Sequence, residues 1–349
     1  RENMCKAPGN PLDLHELGWQ QRPVHIAAAA AEALGRIGTA DAQAALIEAM
    51  PQLLDFWQYT LWCGDHSWLM GCHSSVLHHR ILEAFDAMET GVPLAVVQGA
   101  LKAVPIDTDR GLIFENDAYE SLTARVVNRS GFADEVVEAC LAVLGDCSYT
   151  AGDAWKLAVT ASPPAVSVLP HDPESRAAEI LSVVCMDPAY LGAVRKVFNR
   201  YRQTAPSRPR SWVCFYLARL MGRMKDADAV PLLMACLTDD ATEASFGFES
   251  QPNVFIYKAM TPFYRAAAAD ALGRIGQIAA VDTLFAVVED FDNGMSVRHA
   301  AARSLAMLCG SEHRNRLEQL AQDYPEVSIR RALLEACAQA RSREMAVAR

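Results

Sequence analysis

Apolar and polar positions in this chain recur with a helical period, and over two stretches the helices themselves recur. Ala27 to Ala33 reads AAAAAEA and runs into Ala33-Leu34-Gly35-Arg36-Ile37-Gly38. Those last six letters return unchanged as Ala271-Leu272-Gly273-Arg274-Ile275-Gly276, again behind an alanine run beginning at Ala266. Alanine-rich segments with Leu or Ile at i, i+3 and i+4 predict helices with a narrow face of small residues, which lets neighbouring helices approach closely. The Gly-x-x-Gly ending predicts a stop, because glycine adopts the left-handed conformation of a helix C-cap without strain. A second amphipathic helix is expected behind each copy, over 42–50, 229–237 and 279–288. Acidic turns such as Thr238-Asp239-Asp240 and Glu289 to Gly294 then close the unit, since Asp and Asn cap helices and favour turns.

A looser copy is Leu220-Met221-Gly222-Arg223-Met224. Downstream, Val297-Arg298-His299-Ala300-Ala301 follows the Tyr264-Arg265 copy by 33 positions, and Ile329-Arg330-Arg331-Ala332 follows after 32 more. Sustained spacing of this size predicts helix-pair repeats stacked in a row. A turn acid, then Val/Ile-Arg, then Ala-Ala-x-x-Leu-Gly-x-Ile-Gly resembles the bacterial HEAT repeats of the phycobilisome-lyase-like subtype, over 22–50 and 212–340. The resemblance implies an all-α fold, an α-solenoid of HEAT-type antiparallel helix pairs. It also implies that the Val-Arg helix lines the concave side, with Glu32, Arg36, Asp270, Arg274 and Arg303 near that surface. A competing expectation is that these arginines pair with turn acids as a structural ladder.

Four segments depart from the period, and a repeat array tends to carry its function on such departures. Phe56 to Arg80 holds Trp57, Trp62 and Trp68 with Cys63, His66, Cys72 and His73, residue types that ligate zinc. Those four are a candidate metal set, although the spacing matches no established zinc module and an adjacent Cys-His pair fits one tetrahedron poorly. Gly145 to Ser175 carries two proline clusters and reads as a loop or a break in the stack. Asn199 to Ser211 concentrates Arg200, Arg202, Arg208 and Arg210, either a solvated inter-helix loop or a clamp for carboxylate or phosphate. The copies at Gly222 and Gly273 lie 51 apart where the later repeats run 32–33, so an insertion falls at 242–263. It bears Phe246, Phe248, Phe255 and Tyr257; aromatics there are tucked onto the array or offered to a partner.

The boundaries read as an N-terminal extension at 1–21, HEAT-like repeats over 22–145, degenerate central helices over 146–211, repeats over 212–340 and a tail at 341–349. Apolar residues make up 51% of the chain, enough for a large core. No apolar run is long enough to span a bilayer, and Arg1 to Lys6 leads into no signal-peptide apolar region. A formal net charge of −10 argues against a phosphate-backbone partner. Cys140, Cys185, Cys236, Cys309 and Cys337 fall inside apolar helical patterns, as in a reducing compartment, and the expected location is cytoplasmic.

Nucleophile elbows, phosphate loops and dinucleotide fingerprints are absent from the sequence. The HEAT-built deoxyhypusine hydroxylases need repeated His-Glu pairs, and the one such pair, His15-Glu16, lies outside the repeats. No cofactor is expected. The reading is a non-catalytic scaffold or adaptor that binds a protein or peptide, as one subunit of a larger complex. Its partner-binding candidates are the four aromatics, the four arginines of 200–210, Arg274 and Arg303. The alternative is a lyase-like, cofactor- or metal-handling protein using 56–80.

Overall fold

The computed structural model describes residues 29–48, 83–87, isolated positions between 92 and 101, and 117–160, 172–205, 207–239 and 263–347. The candidate metal residues Cys63, His66, Cys72 and His73, and the aromatics Phe246, Phe248, Phe255 and Tyr257, lie outside them. The described residues are helices and turns throughout, divided into two compact units, 1–185 and 186–349.

In the first unit, helices α1 (29–37) and α2 (40–48) form the first predicted pair. They are followed by a helical stretch at 83–87, then α3 (Asp117–Ser130), α4 (Ala133–Val143), α5 (Asp153–Thr160) and α6 (Pro173–Val184). The second proline cluster ends as punctuation: Asp172 caps α6 by accepting a hydrogen bond from the Ser175 amide at 2.7 Å, and Pro173 takes the first turn. Proline is at home there, because that N–H would have no intrahelical acceptor.

The second unit holds α7 (Leu191–Arg202), α8 (Arg208–Arg223), α9 (Val230–Leu237), α10 (Phe263–Ile275), α11 (Val281–Glu289), α12 (Met295–Leu308), α13 (Arg314–Asp323) and α14 (Val327–Val347). Helices α8, α10, α12 and α14 pack successively as one row, the row of first helices, while α9, α11 and α13 each pack against the first helix that follows. A single 3-10 turn leads into each second helix, closed by Ala229 N–H to Asp226 O at 3.1 Å, Ala280 N–H to Gln277 O at 3.2 Å and His313 N–H to Gly310 O at 3.2 Å.

The two glycines of the repeated motif do different jobs. Gly38 and Gly276 end their helices at φ +65° and +85°, as the C-cap expectation requires. Gly35, Gly222 and Gly273 instead lie inside helices, where any Cβ would collide with the next element. It would stand 2.6 Å from Ala84 Cα at Gly35, 2.7 Å from Ala271 Cα at Gly222 and 2.6 Å from Ser304 Oγ at Gly273. So the first glycine is a packing device and only the second is a stop. Ser304 Oγ, next to that contact, donates to Ala269 O at 2.8 Å and ties α12 to α10.

The candidate partner-binding face

Two registers of the first helices carry the polar chemistry, one turned inward and one outward. The inward register holds the arginine of the Val-Arg motif. Arg265 is buried and donates through one amino group to Leu237 O, at the carbonyl end of α9, and to Asn293 Oδ1 of the following turn at 2.5 Å. Arg298, also buried, donates to Asn293 O at 2.9 Å, Tyr324 Oη at 2.9 Å and Glu326 Oε1 at 2.7 Å. Its guanidinium lies 5.0 Å from the Phe291 ring centroid, and Tyr324 in turn donates to Val288 O at 2.6 Å. Five donors in a rigid fork suit this task of stitching helix ends and turns. The pairing with Arg298 holds the Glu326 carboxyl below its ordinary value, whereas burial raises the Tyr324 phenol. In the first unit Arg176, fully buried in α6, does the same: it pairs with Glu179 at 2.8 Å and donates to Leu101 O.

The outward register is the next turn but one. Counting from Gly222 and Gly273, Arg219, Asp270, Arg303 and Glu335 occupy equivalent places on α8, α10, α12 and α14. Their signs alternate along the row. One turn to either side lie His299 and the exposed side chains of Arg274 and Met307, with Met307 38% exposed. Arg274 pairs with Asp270 of its own helix at 2.7 Å, as Arg36 does with Glu32 at 2.5 Å. Half-burial holds the His299 imidazole below its usual value, and Arg303 lowers it further.

The second helices and α7 carry ion pairs as well. Arg316 on α13 grips Glu289 with two hydrogen bonds, 3.0 and 2.9 Å, reaches Asp282 at 3.3 Å and lies 4.1 Å from the Phe285 ring centroid. Arg202 holds both oxygens of Asp239, at 2.9 and 2.8 Å, and donates to Ala235 O at 3.2 Å.

The arginine segment expected as a loop is mostly helix. Arg200 and Arg202 end α7, Arg208 and Arg210 begin α8, and Ser207 caps α8 by accepting from Arg210 N–H at 3.2 Å. Arg202 is committed to Asp239. Arg210 is buried and donates to Tyr264 Oη at 3.0 Å. Arg200 is exposed, its guanidinium 5.4 Å from the Tyr201 ring centroid. The predicted arginines are therefore dispersed: Arg202 and Arg210 serve the array from inside, while Arg274 and Arg303 lie on the outward register. Sequence reasoning missed the inward role of Arg176, although Ser175-Arg176-Ala177-Ala178 repeats the Tyr264-Arg265-Ala266-Ala267 pattern. It also missed the alternation at 219, 270, 303 and 335, which shows only after the first helices are aligned on Gly222 and Gly273.

Among the described residues no group of three His, Cys, Asp or Glu side chains could hold a metal ion, and no helix is long and apolar enough to cross a membrane. Seven cysteines are described, all as free thiols, six of them buried. Burial pushes the Cys309 thiol up to about 12, and it raises Cys236 and Cys140 as well.

Stacked helix pairs with an inward arginine ladder define an α-helical repeat protein. Two family models match: HEAT repeats over residues 256–338 and the PBS lyase HEAT-like repeat over 26–50. Over those residues the chain carries HEAT repeats, with the phycobilisome-lyase-like subtype matched in the N-terminal copy. Nothing among the curated proteins matches it. HEAT repeats are generally protein-interaction scaffolds, and this subtype specifies neither a function nor a partner.

Proposed function

We propose that the chain is a non-catalytic scaffold or adaptor, a subunit of a larger cytoplasmic complex, and that it holds a protein or peptide along the row of first helices. The observation that carries this reading is the alternating line Arg219, Asp270, Arg303, Glu335 on successive helices, flanked by exposed Met307. Alternating charge at a fixed repeat complements a polypeptide with both signs, and it offers a polyphosphate no continuous cationic track. The aromatics Phe246, Phe248, Phe255 and Tyr257 and the exposed Arg200 are accessory contacts in this proposal. The buried thiols agree with a reducing compartment.

The test is capture of a partner from native lysate by the wild-type chain and by Arg219→Glu/Arg303→Glu, with helicity followed by circular dichroism. The double variant is expected to keep its helicity and lose the partner by about tenfold or more. Equal capture by both would remove the row of first helices from the account. The triple change of Phe248, Phe255 and Tyr257 to Ala, in the same experiment, reports on the insertion separately.

A further inference from the structure

Where the turns lead into α12 and α14, three apolar side chains stand exposed together: Phe291 at 57%, Met295 at 59% and Val327 at 71%. Met295 and Val327 hold the same place, three residues ahead of Arg298 and Arg330. Met295 is exposed even though α14 packs beside its helix, so the exposure belongs to the place in the repeat. Buried chemistry holds the three close. Phe291 stacks on Tyr324, with ring centroids 5.4 Å apart and planes at 21°. Arg298, one turn on from Met295, lies 5.0 Å from the Phe291 centroid and donates to Glu326, the neighbour of Val327, at 2.7 Å. A backed cluster of this kind differs from singly scattered apolar side chains, which any surface carries. It also runs on into the outward register: Met295, His299 and Arg303 follow at i, i+4 and i+8 on α12, as Val327, Arg331 and Glu335 do on α14.

Charge decides what this patch takes. Asp292 and Asp323 are exposed in the same two turns, and neither carboxylate has a hydrogen bond or ion pair among the described residues. The cations nearby are engaged: Arg298 is buried, Arg330 holds the inward register's place, and Arg331 pairs with Glu335 at 3.4 Å. A second copy meeting through the same patch would set acids against acids, and an anionic lipid surface or a phosphate chain would be repelled. A cationic polypeptide is attracted. The molecule itself shows the pairing: Asp239, which stands in its turn where Asp323 stands, is gripped through both oxygens by Arg202 at 2.9 and 2.8 Å. We propose that Phe291, Met295 and Val327 anchor a partner-protein segment whose apolar side chains are flanked by lysine or arginine, the cations meeting Asp292 and Asp323. The inference rests on the reading that a polypeptide lies along the first helices, and it names the chemistry of that polypeptide at the turn end of the row.

The probe is a fluorescein-labelled peptide of sequence KRLLKR, with KRSSKR and EELLEE as companions. Titrated with the full chain at low salt, KRLLKR is expected to bind saturably, about tenfold or more tighter than either companion, and to weaken as salt rises. The change Phe291→Ser/Met295→Ser/Val327→Ser should weaken it by about tenfold or more. Asp292→Asn/Asp323→Asn should weaken it less and remove most of the salt dependence. Equal binding of KRLLKR and KRSSKR, or indifference to the triple change in a chain of unchanged helicity, would overturn the proposal. A Met295→Cys chain tests the patch without adding polar groups. Its new thiol, followed by mass spectrometry of its own tryptic fragment, should alkylate as fast as an exposed thiol and be protected by KRLLKR. Slow alkylation without peptide would mean that another part of the chain or a second copy covers the patch, and would also overturn the proposal. Failure here is distinct from failure of the wider reading. Lysate capture lost in Arg219→Glu/Arg303→Glu, without saturable peptide binding, would remove this inference alone. Saturable peptide binding with undiminished capture would remove the wider reading instead.

Discussion

Helices α8 and α10 are consecutive members of one row, yet they meet its demands with different residues. Both place glycine where the next helix crosses, at Gly222 and Gly273. At the inward register α10 has Arg265, which reaches Leu237 O and Asn293, whereas α8 has the fully buried Cys214. In α8 the tie to the next helix comes from Arg210, one turn earlier, through the Tyr264 hydroxyl. At the C-cap α10 has Gly276 at φ +85°, and α8 has Lys225 at φ +53°. That lysine holds a full two-bond cap, Lys225 N–H to Gly222 O at 3.2 Å and Asp226 N–H to Met221 O at 2.9 Å. In these two helices the close crossing thus takes glycine, the polar stitching beside it differs, and the left-handed end is filled by glycine or by lysine.

The comparison is broken most severely at its shared element. Gly222→Val and Gly273→Val both drive a side chain into a neighbouring helix, at Gly222 into backbone, so each is expected to cost about 3 kcal/mol or more in denaturant unfolding. A tolerant Gly222 would show that the row is not built on close approach. Next in size is the stitching. Arg265→Met leaves Leu237 O and Asn293 without their donor and should cost about 2–3 kcal/mol, and Cys214→Arg, which buries a guanidinium with no provided acceptor, should cost as much. If Cys214→Arg proved neutral, α8 and α10 would be interchangeable after all. The caps come third: Lys225→Gly is expected to stabilise by about 1 kcal/mol, and Gly276→Lys to destabilise by a similar amount, read as shifts in the unfolding midpoint.

Smallest is the acid limb of stability. Arg298 lowers Glu326, and Arg314 and Arg341 lower Glu318, so both carboxyls titrate in the folded chain below the ordinary value of 4.5. A depressed carboxyl stabilises fully above its unfolded value and ceases to as pH falls through the folded one. These two carboxyls should therefore add no slope above about pH 5 and a decline below it, less steep in Arg298→Met, while the depressed His299 contributes its own decline as pH falls below about 6.5. A decline starting near neutral pH would point to groups other than these two.

The fold was legible because its determinants are local and repeated. Alanine runs, the Arg-Ile-Gly ending and the 32–33 spacing dictate helix pairs from sequence alone, and the pairs at 29–48 and 263–289 follow that pattern, whereas α14 runs on to 347 through residues read as a tail. The double use of glycine was not legible, since Gly35 and Gly273 differ from Gly38 and Gly276 only in what lies across the seam. Nor did spacing separate the inward arginines from the outward ones. Arg265 and Arg274 share a helix, and only stacking decides that one is stitched into the array and the other paired on its surface. The arginine segment at 199–211 reads from sequence as an inter-helix loop or a clamp; in the structure Pro209 fits the first turn of α8.

The central claim is that the partner lies along the first helices, and site-specific photo-cross-linking tests it most directly. A photoreactive residue is placed at Met307, on the first-helix row and 38% exposed, or at Asp282, on a second helix with its side chain 93% exposed. Each chain is then irradiated in native lysate. The account predicts one protein cross-linked in good yield from position 307 and little or nothing from 282. Cross-linking from 282 alone would place the partner on the second helices and contradict it.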